Sequence, residues 1–62
     1  MEKFSVKAIR VNLKMTQEEM ANHLNITTRA YADKENGINR WFFDEILKIS
    51  ELASIDVSKI KA

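Results

Sequence analysis

The sequence predicts an all-α fold, a compact five-helix bundle formed by one domain that spans residues 1–62. Apolar residues recur at spacings of three and four along most of the chain, which places them on one face of successive α-helices. Proline is absent and only one glycine occurs, so little of the chain is suited to loops. A chain of 62 residues has room for one modest core, and it contains no repeat or linker that would divide it.

The first helix is predicted over residues 5–13, and the second is predicted to begin directly after Thr16. Thr16 and Glu19 have the spacing of a capping box, in which the hydroxyl and the carboxylate accept hydrogen bonds from free backbone N–H groups. The inner faces of these two helices are expected to consist of Val6, Ile9, Leu13, Met20, Ala21 and Leu24.

A sharp turn and a third helix are predicted next. Asn25 interrupts the apolar pattern, and asparagine tolerates the left-handed backbone conformation that a turn between two helices requires. Either Thr27 or Thr28 can cap the third helix, which is predicted to run to about Asn36. Gly37 follows as the residue that is typical just beyond a helix C-terminus.

Two further helices complete the predicted bundle. The fourth is expected to begin near Asp44 and the fifth after Asp56, since an acidic residue favours a helix start. Their inner faces are expected to consist of Ile46, Ile49 and Ala53 in the fourth helix and of Val57 and Ile60 in the fifth. The adjacent aromatic residues 41–43 cannot all point inward, so they contribute either to the core or to a subunit interface.

The composition argues against several classes of function. Without cysteine the chain has no thiolate metal site, and His23 alone cannot complete one, so no metal or cofactor is expected. An enzyme is not expected, because the chain lacks a glycine-rich phosphate loop and has little volume for a small-molecule substrate. The apolar runs are too short to cross a membrane. The net charge of +1 is low for a nucleic-acid-binding protein.

The segment Gln17–Gly37, QEEMANHLNITTRAYADKENG, resembles the helix-turn-helix motif of the Cro/phage-repressor (XRE-like) family over its whole length. In that motif a small residue, here Ala21, lets the two helices cross closely, and Ile26 and Tyr31 fill the angle between them. The resemblance extends loosely over nearly the whole chain and implies the fold of a phage-repressor DNA-binding domain. The family usually has an apolar residue at the position of Lys34, so this side chain is expected to extend its ammonium group to solvent.

The resemblance implies a transcriptional regulator, acting as a repressor, in the cytoplasm of a bacterium or of a phage-infected host. Its implied partner is double-stranded operator DNA, bound as a homodimer at half-sites about one helical turn, roughly 34 Å, apart. The third predicted helix would enter the major groove. The residues expected to read bases are Thr27, Thr28, Arg29, Ala32 and Asp33. The residues expected to contact phosphates are Gln17, Asn36, Asn39 and Arg40.

Two pairs of oppositely charged residues have an alternative to DNA contact, because each pair could form an ion pair within the protein. Arg10 and Glu35 occupy positions where family members have an ion pair between the first and third helices, so their expected role is structural. Arg29 is the first candidate for base reading, because arginine can donate two parallel hydrogen bonds to guanine. Arg29 and Asp33 are also one helical turn apart and could simply pair with each other.

A second hypothesis assigns the protein to a different class. The same fold could serve as a protein-interaction module that binds another regulator or a toxin. The near-neutral charge and the acidic Asp33 on the reading face favour this alternative. The first hypothesis predicts DNA binding that weakens steeply as the salt concentration rises, and the second predicts no such binding.

Overall fold

Four α-helices and a small parallel sheet form the described part of the protein. The computed structural model describes residues 3–61, so residues 1, 2 and 62 at the ends of the predicted domain lie outside the described part. In chain order the elements are strand β1 (Phe4–Ser5), helices α1 (Val6–Asn12), α2 (Gln17–Leu24), α3 (Thr28–Glu35) and α4 (Phe43–Ala53), a 3-10 turn (Val57–Lys59) and strand β2 (Ile60–Lys61).

The prediction of an all-α bundle of five helices is wrong at both ends of the chain. The predicted fifth helix is only a three-residue 3-10 turn, in which the Asp56 carboxylate accepts a hydrogen bond from the Ser58 N–H at 2.9 Å. So short a segment does not offset the cost of nucleating an α-helix. Ile60 then continues in extended conformation and pairs in parallel with Phe4 of β1. The extended backbone still carries the Ile60 side chain into the core, where it is buried.

The starts of α2 and α3 follow the sequence signals closely. Thr16 and Glu19 form the predicted capping box, with the Thr16 hydroxyl accepting from the Glu19 N–H at 3.0 Å. The Glu19 carboxylate accepts from the Thr16 N–H at 2.8 Å. Of the two candidate caps for α3, Thr27 is the one used, because its hydroxyl accepts from the Ala30 N–H at 3.0 Å. Thr28 is therefore the first residue of the helix.

The core lies between α1, α2, α3 and α4 and is closed at one end by β2. Tyr31 and Met20 are its largest fully buried side chains, and they come from the two central helices. Leu13 and Ala53, predicted on inner faces, are only partly buried at its edge. The buried apolar residues are Val6, Ile9, Met20, Ala21, Leu24, Tyr31, Ile46, Ile49 and Ile60.

Asn25 makes the predicted left-handed turn between α2 and α3, with φ 59° and ψ 40°. Replacing Asn25 by alanine is expected to lower the free energy of unfolding by about 1–2 kcal/mol, because alanine occupies the left-handed region less readily than asparagine. Asn25→Gly should stay within about 1 kcal/mol of the natural protein. Urea denaturation of the three proteins measures the difference. An equal loss in both variants would show that the amide side chain, and not the backbone conformation, is what matters at Asn25.

Candidate nucleic-acid interface

Helices α2 and α3 form a compact helix-turn-helix unit. Ala21 is fully buried between them, and its carbonyl accepts a hydrogen bond from the Ile26 N–H at 3.0 Å. Ile26 packs against the core and Tyr31 is completely buried. The small side chain of Ala21 thus allows α3 to lie close to α2, while the opposite face of α3 stays uncovered.

The N-terminal end of α3 presents the five predicted base-reading residues to solvent. Thr27, Thr28 and Arg29 are exposed, and Ala32 and Asp33 on the next turn are half-buried. Positions three and four residues apart on a helix share a face, so residues 28, 29, 32 and 33 form one continuous surface, which Thr27 extends at the helix start. Its chemistry comprises two hydroxyl groups, a guanidinium group, a methyl group and a carboxylate.

Arg29 and Asp33 lie near each other without forming a close ion pair. Arg29 Nε is 3.8 Å from Asp33 Oδ2, and the Arg29 side chain is 90% exposed. An exposed pair one helical turn apart contributes only a few tenths of a kcal/mol. The Arg29 guanidinium can therefore turn from Asp33 to another acceptor at little cost in stability.

The four predicted phosphate-contacting residues lie at the other end of α3. Asn36, Asn39 and Arg40 are exposed in the segment that follows this helix. Gln17, at the start of α2, comes to the same end, because its side-chain amide donates to the Glu35 carboxylate at 3.0 Å. Thr27, Thr28 and Arg29 thus lie at the start of α3 and the phosphate-contacting groups at its end, with Ala32 and Asp33 between the two sets.

Glu35 is the centre of a partly buried hydrogen-bond network that anchors the end of α3. Arg10 Nε and Nη2 donate to its two carboxylate oxygens at 2.9 and 3.2 Å, so the pair is bidentate. The Tyr31 hydroxyl donates at 2.5 Å, and Gln17 adds the fourth hydrogen bond. Arg10 Nη1 also donates to the Met15 carbonyl at 2.9 Å. One carboxylate therefore joins α1, α2 and α3.

The network shifts the titration of its members. Burial acts to raise the pKa of the Glu35 carboxyl, but hydrogen bonds from Arg10, Tyr31 and Gln17 and the positive charge of Arg10 outweigh it, so that pKa lies below its usual range. The hydrogen bond to Glu35 raises the pKa of Arg10. Burial and the neighbouring Glu35 carboxylate raise the pKa of the Tyr31 hydroxyl. At neutral pH the ionised Glu35 and the protonated Tyr31 are therefore both favoured.

Acid should weaken the fold through Glu35. Because its pKa is lower in the folded state than in the unfolded state, its contribution is present above the unfolded pKa of about 4.3 and is lost as the pH falls through the folded pKa. Glu35→Gln should lower the free energy of unfolding at pH 7 by about 1.5–3 kcal/mol, the range for hydrogen bonds to a charged group. The substitution should also reduce the change in the free energy of unfolding with pH below pH ~4.3.

Urea denaturation between about pH 2.5 and 7 measures both effects. Glu51→Gln removes a carboxylate from the exposed face of α4 and serves as the control for the loss of one charge. A Glu35→Gln profile parallel to that of the natural protein would show that Glu35 does not contribute to the acid sensitivity.

Lys34 does not extend to solvent, and that expectation is wrong. Its ammonium group is 2.6 Å from Glu45 Oε1, and the two side chains are only 9% and 8% exposed. The same Glu45 oxygen accepts from the Phe42 N–H at 2.8 Å, so the carboxylate also caps α4. The Lys34 ammonium lies 4.3 Å from the centre of the Phe42 ring. This ion pair fixes the end of α3 against the start of α4.

Sequence reasoning missed the Lys34–Glu45 pair although the signal was present. Lys34 lies three residues after the buried Tyr31, and Glu45 lies four residues before the buried Ile49. Both therefore fall on inward faces of their helices. Two inward-facing residues of opposite charge on neighbouring helices predict a buried ion pair, since a buried charge requires a partner.

The three adjacent aromatic residues divide between core and surface. Trp41 packs on the core and meets the Tyr31 ring edge-on, with 5.5 Å between the ring centres. Phe42 and Phe43 are 59% and 69% exposed, and Leu47 one turn further along α4 is also exposed. The start of α4 thus presents an apolar surface beside the helix-turn-helix unit.

Comparison with models of protein families, with curated proteins and with solved structures gives no significant match. Within residues 3–61 the longest helix, α4, has 11 residues, whereas a helix needs about 20 largely apolar residues to cross a bilayer. No helix of this described part can therefore span a membrane.

Proposed function

We propose that the protein binds double-stranded DNA in a sequence-specific manner by placing α3 in the major groove, and that it acts as a transcriptional repressor. A helix of eight residues is about 12 Å long, and the major groove of B-DNA is about 12 Å wide. With the start of α3 at the base edges, its end reaches a bounding strand. The exposed polar surface at the start of α3, combined with its firmly held end, is the observation that carries the proposal.

The firm hold on α3 supports a reading function. The Glu35 network and the Lys34–Glu45 pair connect the last turn of α3 to α1, α2 and α4. Base readout needs side chains placed within fractions of an ångström, which requires a rigid supporting helix. The net charge of the chain is low, but DNA binding needs positive charge only at the interface. Arg29 at the start of α3 and Arg40 beyond its end supply that charge.

Pairing of two protomers belongs to the same proposal. One short helix contacts only a few base pairs, so a homodimer on a pseudo-palindromic operator gains affinity by avidity. The resemblance of residues 17–37 to the Cro/phage-repressor motif supports this arrangement and a place in the cytoplasm of a bacterium or phage-infected host.

A protein-interaction module is the second candidate function. The exposed Phe42 and Phe43 favour it, because aromatic side chains are enriched at protein interfaces. Asp33 on the outer face of α3 also favours a protein partner over a polyanion. A module of this kind would bury the aromatic surface and show no preference among DNA sequences.

Selection of bound duplexes from a random library at about 0.15 M salt tests the proposal. We expect enrichment of a pseudo-palindromic site with half-sites about ten base pairs apart, and an affinity that falls steeply as salt rises. A selection without protein controls for amplification bias. A folded protein that enriches no sequence, even at low salt, would overturn the proposal and favour the protein-interaction module.

A further inference from the structure

A basic groove of about 690 Å³ lies at the end of α3, opposite the end that carries Thr27, Thr28 and Arg29. Three separate parts of the chain line it: the junction of β1 and α1, the end of α3 with the segment that follows it, and β2. The parallel register places Lys61 of β2 beside Ser5, two residues before Lys7. The small sheet, which the sequence did not predict, therefore brings a lysine from the end of the chain to the start of α1.

The groove has a clear excess of positive charge. Lys7, Arg40 and Lys61 line it and are exposed, and none of them takes part in an ion pair among residues 3–61. Among residues 3–61, Glu35 is the one acidic residue that lines it, and its carboxylate is bound bidentately by Arg10. Lys34 also reaches the lining, but Glu45 neutralises it. Within the described part of the chain, three cations thus line one open groove and no carboxylate pairs with any of them.

We infer that this groove binds the phosphodiester backbone of DNA, with Lys7 and Lys61 contacting phosphates beyond those of Asn39 and Arg40. The inference rests on the proposed function and extends its footprint. The groove lies at the far end of α3, a helix about 12 Å long, whereas the major groove is about 8.5 Å deep. If the start of α3 meets the base edges, its end therefore lies at the level of the phosphates. A flexible lysine ammonium acts as a point charge and suits a phosphate without a fixed orientation.

A DNA strand fits this groove better than a small anion does. The groove is open to solvent, and its charges come from side chains at both ends of the described chain, which a strand can contact together. Arg40, assigned to phosphate contact from the sequence, is shared between the groove and the proposed interface. A strand that meets Arg40 would therefore continue toward Lys7 and Lys61.

The test compares two double variants on the selected operator and on a random duplex. Lys7→Gln with Lys61→Gln removes two charges from the groove, and Lys48→Gln with Lys59→Gln removes two exposed charges outside it. Each lost phosphate contact should reduce the slope of log affinity against log salt by about 0.9, hence by about 1.8 for the groove variant. Its affinity near 0.1 M salt should fall about 10- to 60-fold.

The loss should be equal on both duplexes, because phosphate contacts carry no sequence information. The control variant should keep the natural slope. Equal slopes for the two double variants would overturn the inference and leave the proposed function standing. A natural protein that binds no DNA would overturn both, so the two failures are distinguishable.

Titration with pyrophosphate, followed through the backbone amide signals of Asn39 and Arg40, separates the DNA backbone from a free phosphate. Saturation at sub-millimolar pyrophosphate, with DNA binding unaffected by the groove variant, would show a small-anion site and overturn the inference. Weak, unsaturated shifts together with the altered salt slope would support it.

Discussion

Replacing Arg29 by alanine should lower the affinity for the selected operator by about 5- to 150-fold, the equivalent of the 1–3 kcal/mol that a bidentate arginine–guanine contact contributes. The side chain is 90% exposed and its neighbour Asp33 is 3.8 Å away, so the variant removes almost nothing from the fold. The loss should be confined to one base pair of each half-site. Competition titrations with operators substituted at each position measure both the loss and its location.

Two further variants separate base reading from phosphate contact. Arg29→Lys keeps the charge but loses the planar fork, and it should behave like Arg29→Ala in specificity. Arg40→Ala should weaken binding uniformly across sequences and lower the salt slope by about 0.9. If Arg29→Ala instead weakened all duplexes equally, Arg29 would be a phosphate contact and base reading would have to be reassigned to other residues of α3.

Glu45→Ala should destabilise the protein by about 3–5 kcal/mol, because it leaves the buried Lys34 ammonium without its counter-charge. The Phe42 N–H also loses the acceptor that caps α4. A domain this small has little stability to spare, so the variant should be largely unfolded at 37 °C. Urea and thermal denaturation followed by circular dichroism measure the change.

Glu45→Gln and Lys34→Met isolate the ionic part of this effect. Glu45→Gln keeps an oxygen for the Phe42 N–H but still leaves the Lys34 charge unpaired, so it should be strongly destabilised. Combining it with Lys34→Met removes both charges and should return the free energy of unfolding to within about 1–2 kcal/mol of the natural protein. A double variant as unstable as Glu45→Gln alone would show that the uncompensated charge is not the cause.

Local rules predicted the four α-helices but also a fifth that does not form, and they missed the sheet, which depends on long-range pairing. The capping box of α2, the Asn25 turn and the buried faces follow from residues three or four positions apart. The parallel sheet does not, because a strand of two residues carries no periodicity and its partner lies at the other end of the chain.

The candidate site was also predicted in part from the sequence and in part missed. The resemblance led to the Arg10–Glu35 pair, and the structure adds Gln17 and Tyr31 to the same carboxylate. Periodicity would have placed Lys34 and Glu45 inward, but the family's usual apolar residue at position 34 directed the expectation toward solvent. The groove at Lys61 was out of reach, because it exists only when β1 and β2 pair.

The pairing of β1 with β2 also bears on the order in which the molecule opens. Nearly the whole chain lies between the two strands, so forming their few hydrogen bonds must offset a large loop-closure entropy. The backbone amides of β1 and β2 should therefore be among the first in the protein to exchange their hydrogens with solvent. A polyanion that engages Lys61 only while the sheet is closed would slow that exchange, so binding at the groove and closure of the chain ends are thermodynamically linked.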